Sequence, residues 1–157
     1  MKKILLTLLL GFIVPIATFS QEFNTIPTDS QVSQLPDGWY KFQIEGVLFD
    51  VELQQGKYKK GNITWFDGST YSGSLSGAYL SGRGTYTWPN GSQYLGSFRK
   101  HKRHGKGTQV AEDGSKWSGK WKNNQKNGKG TTFDPDGIVL NKGVWVAGEL
   151  TAKNNSK

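Results

Sequence analysis

The sequence predicts an all-β fold, an elongated single-layer array of antiparallel β-hairpins. Three observations predict it. From Tyr71 onward, glycines and aromatics recur in one register every 23 residues. Within each repeat, an aromatic, a glycine and a large apolar residue follow one another two apart, the side-chain period of a strand. Apolar residues make up only 34% of the 157-residue chain while aromatics reach 13%. That is too little apolar content for a thick two-layer core and too many rings for a disordered chain.

Taken in order, the chain opens on a leader. Lys2 and Lys3 precede an apolar run from Ile4 to Ile16, and small residues at Thr18 and Ser20 suit cleavage near Ser20. A positive start, a short apolar stretch and a small-residue exit form a secretory signal peptide of bacterial appearance over residues 1–20. The run is shorter than the ~20 residues needed to span a bilayer. The expected location is therefore periplasmic or secreted. Formal net charge is +8, falling to +6 once Lys2 and Lys3 are removed. The chain has no cysteine, which excludes a disulfide framework, a thiolate metal site and a Cys nucleophile. Residues 21–37, polar with two prolines and no periodicity, read as a flexible lead-in.

Residues 38–150 form the predicted repeat domain. Trp39 to Glu45 alternates apolar and polar residues as a capping strand would, and so do Phe49, Val51 and Leu53. Three full blocks of 23 residues then start at Tyr71, Tyr94 and Trp117. Glycine follows two later (Gly73, Gly96, Gly119), then a large apolar residue (Leu75, Phe98, Trp121). A Gly-x-Gly pair comes next (Gly82/Gly84, Gly105/Gly107, Gly128/Gly130), and Asn90-Gly91, Asp113-Gly114 or Asp136-Gly137 closes each block. Those closing dipeptides favour the tight primed turns of hairpins, and the segment from Gly77 to Gly82 and its counterparts are expected as loops. Glycine weakens strands, so the in-strand glycines are expected to make room for aromatics from neighbouring hairpins. Partial copies flank the blocks, with Gly61, Trp65 and Asp67-Gly68 before and Gly143-Val144-Trp145 after. Residues 151–157 read as a disordered tail.

This pattern resembles the MORN repeat (membrane occupation and recognition nexus) from about Tyr58 to Gly148. It departs from the family at Leu75, which replaces the opening-strand Trp, at Lys100 and Asn123, which replace the mid-loop Gly, and in its truncated last copy. The resemblance implies a non-catalytic interaction module: a scaffold for an unidentified protein partner, with self-association into homo-oligomers and membrane-lipid contact as further modes.

Two sets of residues are candidates for binding. Arg99, Lys100, His101, Lys102, Arg103 and Lys106 form a basic cluster placed in the loop of the second full repeat. It suits phosphates of anionic lipid or an acidic glycan, or serves as a solvated, solubilising edge. Export argues against nucleic acid. The aromatics Tyr71, Tyr94, Trp117 and Trp121 are either a flat face for a partner or sugar or the thin core of the array. His101 and His104 lack nearby carboxylates and make no metal pair. Asp134-Pro135-Asp136-Gly137 has too few oxygen donors for a calcium loop. With no nucleophile motif and no paired carboxylates, neither a catalytic residue nor a cofactor is expected.

Overall fold

The computed structural model describes residues 27–153; the leader read at 1–20 lies outside the described residues. The chain divides into two compact units, Met1–Tyr79 and Leu80–Lys157. Both are antiparallel sheets whose strands follow one another in sequence order, as the all-β hairpin reading requires.

The first unit holds a short helix, α1 (Asp29–Val32), and strands β1 (Gly38–Ile44), β2 (Val47–Gln54), β3 (Lys57–Thr64) and β4 (Thr70–Ser76). Its alternating apolar residues all turn to one face, where Tyr40, Phe42, Phe49, Val51, Leu53, Tyr58 and Ile63 are buried. The segment expected as a flexible lead-in instead packs here from residue 27 onward. Val32 is 3% exposed, the Tyr58 hydroxyl donates to the Pro27 carbonyl at 2.9 Å, and the Tyr40 hydroxyl to the Pro36 carbonyl at 2.7 Å. Two buried phenols that need acceptors explain the capture.

In the second unit run β5 (Tyr79–Thr87), β6 (Gln93–Arg99), β7 (Lys102–Val110), β8 (Lys116–Lys122), β9 (Gln125–Phe133), β10 (Val139–Val146) and β11 (Glu149–Lys153). The last strand corrects the reading of a disordered tail at its first residues: Lys153 pairs with Gly143 and Ala152 with Val144.

The two kinds of turn are exchanged relative to expectation. The segment read as a loop in the second repeat is a two-residue turn, Lys100-His101, with φ of 47° and 66°; Asn123-Asn124 matches it one repeat later at 49° and 72°. Positive φ at both positions is the primed geometry whose twist fits the flanking strands. The Asn/Asp-Gly dipeptides instead lie in wider loops. In Trp88–Ser92 the Trp88 N–H donates to the Ser92 carbonyl at 2.9 Å, and the Gly91 N–H to the Trp88 carbonyl at 2.9 Å. Asn90 Oδ1 accepts from the Ser92 N–H and hydroxyl. Asp67 and Asp113 do the same for Ser69 and Ser115, and these bonds hold both carboxyls below the usual carboxylate range.

Candidate functional site

Strand alternation gives the sheet of the second unit two chemically different faces. The first is set by glycine pairs in register: Gly96 faces Gly107 across β6 and β7, and Gly119 faces Gly130 across β8 and β9. Tyr94 lies over the Gly96/Gly107 pair and Trp117 over Gly119/Gly130. Each ring thus covers its own hairpin rather than a neighbour's, which corrects the packing expected from the sequence. The glycines are two residues along and directly across the strand pair, the places a ring lying flat along its strand will cover.

The rings then interlock edge to face, as their quadrupoles favour. Trp117 meets Trp121 at 4.9 Å and Trp145 at 5.5 Å between centroids, and Tyr94 meets Trp121 at 5.2 Å and Phe98 at 5.1 Å. The Trp121 Nε1–H donates to the Gly107 carbonyl at 3.1 Å, and the Tyr94 hydroxyl to the Ser97 carbonyl at 3.0 Å. In the first unit the Tyr71 hydroxyl makes the equivalent bond to Ser74. Burial pushes both phenols up to about 12, the Arg103 charge pulling Tyr94 the other way. Tyr71, Tyr94, Trp117 and Trp121 are each at most 4% exposed. The four candidate ligand-stacking rings are therefore core, and the reading of an open aromatic face is corrected.

The basic cluster is also divided. Arg103 turns to the ring face. Its guanidinium stands 4.4 Å from the Trp121 centroid, 5.7 Å from Trp88 and 5.8 Å from Tyr94. It donates to Gln109 Oε1 at 2.8 Å and to the Asn124 carbonyl at 2.9 Å. Burial lowers its pKa and that of Lys126, which lies 5.3 Å from the Trp117 ring one repeat later. His101 occupies the turn and accepts the Leu80 N–H at Nδ1, with its own pKa lowered by burial. Lys100 is exposed in the same turn. Arg99, Lys102 and Lys106 are exposed on the opposite face. Among the described residues no three carboxylates or histidines converge as a metal site.

Arg103 is thus a packing residue. Arg103→Lys is expected to cost about 1–2 kcal/mol, since an ammonium keeps the charge but loses the planar fork that stacks and donates twice. Chemical denaturation checks this, and an unchanged midpoint would contradict it.

The face opposite the rings carries a row of cations that includes Lys106 of the basic cluster; Arg83 is the member that sequence reasoning missed. Arg83, Lys106 and Lys129 are the middle residues of the three Gly-x-Gly pairs, 23 residues apart. All three are exposed. Arg83 was legible only from its place in the 23-residue register, since it lies outside the contiguous cluster at 99–106.

The MORN repeat family matches residues 71–93, 94–116 and 117–139, the same three blocks that the glycine register defines. No curated protein matches the chain.

Proposed function

Since residues 71–139 are three tandem MORN repeats, a non-catalytic module associated with protein and membrane-lipid binding, we propose that this protein is an exported binding module. It holds a protein partner on the sheet face opposite its rings and catalyses no reaction. One observation carries the reading. The ring face is closed by its own interlocked side chains, whereas the other face presents Leu95, 45% exposed, among polar residues. Leu95 pairs across the sheet with Thr85 and Thr108, so the exposed apolar surface sits mid-sheet and away from the turns.

The mature chain, residues 21–157, is expected to retain a partner from bacterial envelope extract, and Leu95→Asp to release it. Capture that is absent, or indifferent to Leu95→Asp, overturns the reading. Export is tested separately by sequencing the N-terminus of the mature product, which should begin at Gln21.

A second reading, contact with an acidic surface, rests on a specific feature. Arg99, Lys102 and Lys106 share the open face, and among the described residues the ion pairs, Lys41–Asp50 and Lys60–Glu52, lie in the first unit.

A further inference from the structure

The cations of the open face are arranged in a line. Arg83 pairs with Ser97 across β5 and β6, Lys106 with Lys120 across β7 and β8, and Lys129 with Val144 across β9 and β10. Each lies next to a glycine of the ring-bearing row, so they form a parallel row on the reverse side, running across the strands. Strands are spaced about 4.8 Å apart, which sets Lys106, Lys120 and Lys129 at nearly that pitch, with Arg83 two strands further on. Lys106 and Lys120 stand directly opposite each other, a like-charge pairing that is unfavourable unless an anion is shared between them.

Among the described residues of the second unit, no acid offsets the row. The second unit has thirteen Lys and Arg in residues 80–153 against five Asp and Glu. Four of those five, Glu112, Asp113, Asp134 and Asp136, lie in the wide loops, and Glu149 begins the last strand. In the first unit the counterpart of these cations is Lys60, and there Glu52 neutralises it at 3.4 Å. Beside the row runs a second one, Thr85, Leu95, Thr108, Ser118 and Thr131, hydroxyl-bearing except at Leu95, with Thr108 and Ser118 hydrogen-bonded at 2.9 Å.

The geometry points to a linear acidic polysaccharide as the ligand of this face, lying across the strands with its carboxylates on Arg83, Lys106, Lys120 and Lys129. Two features favour such a chain over a bilayer. The charges repeat along one line, and the neighbouring row offers hydroxyls to sugar hydroxyls. The inference deepens the second reading above and moves its contact from the turn to the mid-sheet row.

The test is equilibrium binding of the mature chain at low ionic strength to polygalacturonate, to neutral dextran and to phosphatidylglycerol vesicles. Binding to polygalacturonate, not to dextran, and weakening with added salt are expected. Changing Arg83, Lys106, Lys120 and Lys129 together to Ser is expected to weaken it at least about tenfold, because each exposed contact adds a small increment. Arg99, Lys100 and Lys102 changed to Ser should weaken it no more than about twofold. A row variant that binds like wild type, a turn variant that loses as much, equal retention by dextran, tighter binding to vesicles, or no binding each overturns the inference. Should the row variant not fold, carbodiimide coupling of polygalacturonate to the unmodified chain decides. Coupling is expected at Lys106, Lys120 and Lys129, and coupling confined to Lys100, Lys102 and Lys122 overturns it. The two readings share the open face but are read by different variants, the four-cation row for polymer binding and Leu95→Asp for protein capture, so their failures are separable.

Discussion

Replacing Gly107 with alanine is expected to lower the unfolding free energy by about 3 kcal/mol, the upper end of overpacking costs. A Cβ there would lie 2.5 Å from Tyr94 Cζ and 2.6 Å from Cε2. The ring has nowhere to go: Tyr94 is 0% exposed, edged by Phe98 and Trp121. Gly107 is absent from the positive-φ glycines, so alanine's backbone fits and the cost is steric. Gly91→Ala makes the contrast. Its Cβ meets nothing within 4 Å, but φ is +82°, and left-handed strain costs about 1 kcal/mol. A double-mutant cycle locates the effect: with Tyr94 changed to Val, Gly107→Ala should cost much less. Equal costs in both backgrounds would disprove the packing account.

The second large effect is alkaline unfolding between about pH 10 and pH 12. Tyr71 and Tyr94 have folded pKa values near 12, against 10.0 for a free phenol. The sign follows from linkage: a raised folded pKa gives stability fully present below pH 10, lost as pH climbs to the folded value. Each phenolate would be stranded among rings with no proton to donate to Ser74 or Ser97. At about 1.4 kcal/mol per pKa unit, each contributes about 3 kcal/mol and the two together ~5 kcal/mol. Burial shifts Tyr58 and Tyr40 in the same direction. Lys126, lowered by burial, acts oppositely, gaining stability as pH rises. Changing Tyr71 and Tyr94 to Phe should lower stability at neutral pH by about 1 kcal/mol per lost hydrogen bond and move the alkaline midpoint upward. Circular dichroism across the pH range measures both, and an unmoved midpoint would refute the assignment.

Much of this fold was legible because its repeat is strict. The columns of glycine and aromatic gave the hairpins, and the alternation of Tyr40, Phe42 and Ile44 gave β1. The turns were not, because local signals compete: Asn90-Gly91 looks like a tight turn, yet Lys100-His101 adopts one despite lacking glycine. There, strand twist and the bond from the His101 N–H to the Leu80 carbonyl outweigh residue preference. Asn123-Asn124 was a better clue, since asparagine tolerates positive φ. The basic cluster misled for a related reason. Contiguity in sequence is not adjacency on a strand, and alternation sends Arg103 to the rings while Lys102 and Lys106 face away. Burial of Val32 and Pro27 had no periodic signature to announce it.

Along β7, four steps from Arg103 to Gly107 run against two steps on β6, from Phe98 to Gly96. An even surplus restores parity past the irregularity, so that Arg103 and Gly107 lie on the same side. Inserting one residue there would exchange the two sides, thrusting Lys106 among the indoles and turning Tyr94's glycine cushion outward. A single-residue insertion within β7 therefore scrambles both faces, whereas duplication of a whole 23-residue repeat leaves the alternation of every strand intact.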